Sequence, residues 1–242
     1  MDDRKLFRWG SWAAIVGGVI ALGANILHPR IENFDDPIGE ELRIIGETDS
    51  WVALHVGLLA GFLLLTFGLY AISRSMKGGP AEGAARIALG SLLISTPIAV
   101  VGLLIDGYAM GAIAEAAAAD PAIAAAATVG GEIGWAAFMG LTMLALGVTP
   151  ALLGWAVTKD GGYPAWLGWG AVLFGLGSIG AGVMGLLDGP SSAFFLIFAI
   201  TSGYLTLWTI GMGVLLGRRA ASGSITVPET ASARRPTSKV SG

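Results

Sequence analysis

The chain has 242 residues, 54% of them hydrophobic and only 13% charged, with a mean hydropathy of +0.72. An average soluble domain carries about 25% charged residues, so this balance excludes an ordinary soluble fold, and a net charge of −3 gives no basis for a nucleic-acid partner. The chain has no cysteine, which excludes disulfides, thiolate catalysis, cysteine-ligated iron–sulfur clusters and thioether-linked haem.

A short charged segment ends at Arg8, and residues 9–28 read as the first membrane span, with Asn25 its one strongly polar position. The apolar run is too long for a signal-peptide core and no small-residue cleavage site follows it, so the span is expected to be retained. Pro29 disfavours helix at the residue before it and sets the span's end near His28. Residues 31–50 form an acidic loop whose centre, I-G-E-E-L-R-I-I-G, suits a short surface helix. Asp49 or Ser50 can cap the next span by accepting from its free amides.

That second span covers residues 51–73. A Gly78-Gly79-Pro80 turn between basic residues leads to a third at 84–106, with a kink expected at Pro97. The alanine-rich stretch 111–127 favours helix and can carry the third span beyond the bilayer. The fourth span is expected at 132–157, with a second kink at Thr149-Pro150, the fifth at 165–187 and the sixth at 193–217, stopped by Arg218 and Arg219. Residues 1–219 thus form one transmembrane domain. Residues 220–242, rich in Ser, Thr, Pro and Arg, have little to bury and are expected to be a disordered tail.

The fold class is therefore all-α: a polytopic integral membrane protein with six transmembrane helices in one bundle. Lys and Arg mark the N-terminus, the second-to-third and fourth-to-fifth loops and the tail, so the positive-inside rule places both termini in the cytoplasm. Abundant alanine, and arginine in excess of lysine, suit a prokaryotic cytoplasmic membrane. Small residues recur every four positions at Gly10/Ala14/Gly18, Gly177/Ala181/Gly185 and Gly213/Gly217. Such faces let helices approach closely, within one chain or against a membrane-protein partner or second copy.

Both histidines flank the acidic loop. At about 1.5 Å rise per residue, His28, His55, Asp106, Glu132 and Asp188 all fall near the outer ends of their helices. His28, His55, Asp106 and Glu132 are the candidate metal ligands, since neutral imidazoles with one or two carboxylates suit a divalent ion such as Zn or Cu. Asn25, three residues before His28, Trp51, one turn before His55, and Asp188 are candidate supporting residues. The plainer alternative is that these are solvated helix-end groups, with Trp51 in an interfacial belt. Haem b is disfavoured, because bis-histidine membrane cytochromes place their ligands deeper. An ion pump is disfavoured too, because the mid-membrane level offers only Ser95, Thr96, Thr142 and Thr149. The sequence leaves three readings open: a binding or accessory subunit with a polar, metal-binding pocket at the outer face, a membrane-embedded metal-dependent enzyme, or a transporter of a small or lipid-like solute.

Overall fold

The structure, a computed structural model, describes residues 2–120 and 123–222. Its regular elements among those residues are all helices, and six of the helices are long and apolar enough to cross a membrane. Helix α1 (Asp3–Leu27) starts where the Asp2 carboxylate accepts from the Arg4 N–H. It ends where Pro29 holds His28 in extended backbone, φ −69° and ψ 122°. Helix α2 (Pro37–Glu47) is the short helix of the acidic loop. Asp36 caps it by accepting from Gly39 N–H at 3.0 Å, and Arg43 pairs with Glu40 and Glu47 on its outer side. Helix α3 (Trp51–Ser75) returns across the bundle. The turn after it uses Gly78 and Gly79 at φ 84° and 63°, a left-handed conformation that a side chain would strain.

Helix α4 (Gly79–Leu104) runs helically through Pro97. The sequence reading put the span itself at 84–106 and let the alanine-rich stretch carry helix beyond it; the chain makes a π-helical turn, Ile105–Ala109, and continues as α5 (Met110–Ala119). The fourth span is likewise longer than 132–157: α6 (Ala124–Met143), a π turn (Leu144–Val148) and α7 (Thr149–Asp160). The second π turn lies just before Pro150, whose missing N–H leaves a carbonyl one turn earlier without its helical partner. Helices α8 (Ala165–Asp188) and α9 (Ser192–Ser222) complete the set. Arg218 and Arg219 do not stop α9. The Arg219 guanidinium bonds Asp160 at 2.9 Å and lies 4.3 Å above the Tyr163 ring, which anchors the last turn. Ala220 to Ser222 are thus helical, and the rest of the tail expected from residue 220 onward lies outside the described residues.

The six long helices close a ring in chain order: α1 on α3, α3 on α4, α4 on α6 and α7, α7 on α8, α8 on α9, and α9 back on α1. Two seams in that ring are built from small residues. Along α1 and α3, Gly10 faces Ala71, Ala14 faces Gly68, and Gly17 faces Gly61 and Leu64. Along α7 and α8, a Cβ on Gly168 would stand 2.5 Å from the Gly154 carbonyl oxygen and 2.9 Å from the Thr158 nitrogen. The small-residue face of α8 is therefore Gly168 and Gly175, against α7 and the π turn before it, with Gly182 against Met139 and Met143 of α6. Of the stripe read from the sequence, Gly177 lies beside Thr201 and Gly185 against Met139 and Phe194. Gly213 and Gly217 of α9 meet Ser11 and Ala14 of α1, and the Ser11 hydroxyl donates to the Gly213 carbonyl at 2.8 Å.

The two ends of the ring differ. At the end carrying the N-terminus the bundle is solid: Phe7, Ile72, Met76, Leu153, Met212 and Leu216 fill it. Lys77–Asp3 and Ser75–Tyr163, each 2.7 Å apart, tie its turns together. Trp9, Trp12, Trp155, Trp166 and Trp169 project outward around the same end, the placement of an interfacial aromatic belt. At the opposite end α2 lies across the ring and packs Ile44 and Ile45 on Trp51, Met110 and Ala114. Beneath it is a cavity of about 590 Å³.

The seams make a sharp stability contrast. Gly168→Ala must push backbone apart and should cost about 1–3 kcal/mol. Gly180→Ala meets nothing within 4 Å and should be neutral or stabilising by about 0.5–1 kcal/mol through helix propensity. Melting of the two variants in one detergent measures the difference, and equal melting would mean the α7–α8 seam is not close-packed.

Candidate metal centre

Three elements meet at the α2 end of the ring. The first is the extended residue after α1. Because the helix has already stopped, His28 does not share a helical face with Asn25; its ring turns instead toward α3, and its Nδ1 lies 2.7 Å from the Pro29 carbonyl. The second is the first turn of α3, where His55 Nδ1 lies 2.9 Å from the Trp51 carbonyl one turn back. The third is the π turn, which carries Asp106. A carbonyl oxygen only accepts, so both Nδ1 atoms carry the ring hydrogen and donate it. In the neutral rings both Nε2 atoms then present lone pairs.

Those lone pairs converge. The two Nε2 atoms are 3.3 Å apart and His55 Nε2 is 3.0 Å from Asp106 Oδ2. One ligand atom from each of His28, His55 and Asp106 lies within 4.8 Å of the other two. Two nitrogens bound to zinc at about 2.0–2.1 Å with a tetrahedral angle between them sit about 3.3–3.4 Å apart. Three electron-rich atoms this close need one positive charge among them. A proton makes His55 an imidazolium paired with Asp106; a metal ion replaces that proton. Donation of the remote ring N–H to a carbonyl is how metal-bound histidines are usually oriented.

Trp51 organises the cluster. Its ring lies 4.9 Å from His28 and 4.6 Å from His55, and its indole N–H donates to the Asp106 carbonyl at 3.0 Å. That carbonyl belongs to the π turn, where the regular helical bonding pattern is displaced. Gly107, next in the turn, is required by His55: a Cβ there would collide with the histidine's own Cβ and ring. Burial lowers the pKa of His28, outweighing the Pro29 carbonyl and Asp106, which raise it, and so holds the ring in its ligand form.

The remaining sequence candidates are placed differently. Glu132 lines the same cavity but is exposed, and its carboxylate is not among the three that come together. Asn25 also lines the cavity from an exposed position on α1, and Asp188 is exposed at the last residue of α8. The reading missed Glu41. It sits on the inward face of α2 with Ile38 and Ile44 and lines the cavity. The signal was present: Ile38, Glu41 and Ile45 follow a helical stripe at i, i+3 and i+7. Burial, reinforced by the Asp106 charge and offset by His55, pushes the Glu41 carboxyl up to about 7.

No protein-family model, curated protein or solved structure matches the chain, so the chemistry of the cluster carries the functional reading. Fold and site define a helical protein with six membrane-span-like helices and a His–His–Asp triad that could hold a metal ion.

The Glu41 carboxyl stays protonated to higher pH in the fold than in the unfolded chain, where it titrates near 4.5. Its contribution to stability is therefore present below about pH 4.5 and lost as pH rises through about 7. In chelator, the wild-type melting temperature should fall from about pH 5 to about pH 8 more steeply than that of Glu41→Gln. Parallel curves for the two proteins would remove Glu41 from the buried site.

Proposed function

We propose that the protein is a membrane-embedded binding or accessory protein that holds one divalent metal ion, Zn or Cu(II) by donor set, through His28, His55 and Asp106. The observation that carries this reading is the convergence of two Nε2 lone pairs and a carboxylate, both remote N–H groups being committed to carbonyls. The acidic loop around α2 supports it by raising the local cation concentration. The positive-inside bias supports an extracytoplasmic position for this end of the ring. The packed apolar core at the other end, among the described residues, favours binding over transport.

A metal-dependent enzyme is the second reading, favoured by one feature. His28 and Asp106 line the cavity while His55 sits behind them, 3% exposed. Three protein ligands leave a zinc coordination position open, here toward the cavity, which is the arrangement of catalytic rather than structural sites.

Titration calorimetry with Zn²⁺ on purified protein should give one site per chain. His28→Ala, His55→Ala or Asp106→Asn should each weaken it by about 100-fold or more, and Trp51→Phe, which keeps the ligands but loses the indole N–H, by about 10-fold. Affinity should fall below about pH 6 as protons compete for the Nε2 atoms. Equal zinc binding by wild type and the His28/His55 double variant would end the reading.

Topology is checked separately. Single cysteines at Glu40 and Gly79 should label from outside and inside respectively in intact cells, and outside labelling at Gly79 would invert the assignment.

A further inference from the structure

The cavity beneath α2 has two chemically distinct poles. One is the triad, with Arg30 beside it at the rim. The other runs into the ring and is apolar: Phe62, Leu65, Leu141 and Phe198 line it. The hydroxyls that reach this wall have their donors committed, Ser202 to the Phe198 carbonyl at 2.6 Å and Thr206 to the Ser202 carbonyl at 2.8 Å, and offer only acceptor lone pairs. Water has few partners there. A cavity of this kind binds an apolar chain more readily than a polar solute.

Its size selects further. A cavity of about 590 Å³ is within the range of single small-ligand sites and suits one chain with a small head. The opening is partly toward the bilayer. Ile26 of α1 and Leu186 of α8 line the cavity yet are 68% and 51% exposed. At the other end of α1 the ring is shut by Ser11 against Gly213 and Gly217 and by Gly18 against Ile210. Charge at the metal itself favours an anionic head group. A divalent ion on two neutral imidazoles and one carboxylate leaves a net positive centre with Arg30 at the rim, while the carboxyls of Glu41 and Glu132 line the same cavity and confine an anion to the metal's own position.

We infer that the cavity binds a single-chain amphiphile, with its anionic oxygen head group in the open coordination position of the metal and its hydrocarbon tail among Phe62, Leu65, Leu141 and Phe198. This rests on the metal-binding reading above. The shared head chemistry is an anionic oxygen, supplied by a carboxylate or by an alkyl phosphate. The amphiphile enters from the outer half of the membrane past Ile26 and Leu186, and α2 covers the head.

The test uses the full chain in maltoside detergent, loaded with Zn²⁺, and the fluorescent fatty acid cis-parinaric acid, read by energy transfer from Trp135 at the cavity wall. Binding should saturate at one probe per chain and weaken about 10-fold when zinc is removed or when the carboxylate is methyl-esterified. Laurate and dodecyl phosphate should displace the probe; the stronger of the two identifies the head. Leu141→Trp, which fills the apolar pole, should weaken the probe about 10-fold while leaving zinc calorimetry unchanged. Ala199→Trp fills the same pole from α9 and serves if Leu141→Trp does not fold. Zinc binding without parinarate binding would overturn this inference alone, whereas loss of zinc binding itself would sink the metal reading beneath it. Displacement by acetate as strong as by laurate would show a small soluble anion instead. Probe binding indifferent to zinc and to esterification would remove the head group from the metal.

Discussion

One indole holds the site together. Trp51 opens α3, and three of its groups each fix a different partner: its carbonyl takes the His55 Nδ1–H, its N–H caps the Asp106 carbonyl, and its ring packs on both imidazoles. It is also core for the lid, since Ile44 and Ile45 of α2 rest on it. A ligand set brought from three separate chain segments loses precision unless something rigid spans them. A tryptophan does this at low entropic cost, because two torsions place the whole ring. The π turn is the matching device on the other side. It shifts Asp106 out of the regular helical phase and brings Gly107 against His55, the kind of local irregularity that recurs at functional sites.

The rest of the bundle divides its labour along the ring axis. At the N-terminal end, glycine and alanine seams let backbones nearly touch. In lipid, where burial between helices gains little from the hydrophobic effect, such contact supplies the packing energy. The Asp160–Arg219–Tyr163 group locks the loops at that end. At the α2 end the helices enclose space. The solid end provides the rigidity that lets the hollow end keep a 590 Å³ cavity, since an apolar void gains nothing by itself and costs the contacts its walls forgo.

Much of this was readable in advance, and for identifiable reasons. Six apolar runs of membrane length are a strong signal, because the bilayer forces every backbone group to bond within its own helix. The common depth of His28, His55 and Asp106 followed from rise per residue. Their rotation about the helix axes did not, and it was decided by one feature whose signal was read only for the span's end and one, the π turn, with no sequence pattern of its own. Pro29 ended α1 before His28, which removed the expected pairing of Asn25 with that ring. The π turn rephased Asp106, and Glu132, equal in depth, stayed outside the triad. The right small-residue faces were harder still. Glycine is so frequent, at 38 residues, that the true α8 seam of Gly168, Gly175 and Gly182 hid among other spacings.

The depth of the triad has a physical logic. An uncompensated carboxylate or imidazolium at the bilayer centre is expensive, and the middle of this ring carries none. One helical turn from the end, the cost falls, and α2 can close over the groups from the aqueous side. Within the triad, the proton and the metal are alternatives for one position of positive charge. The carboxylate of Asp106 is balanced by either, so exchanging them leaves the number of buried charges small while changing what the cavity presents. With a proton, the His55–Asp106 pair is internally satisfied and the cavity sees a nearly neutral wall. With a metal, the same wall gains a net positive centre and an open coordination position facing apolar space. On the proposed reading, one ion at one position would turn a closed polar pair into an electrophilic pocket.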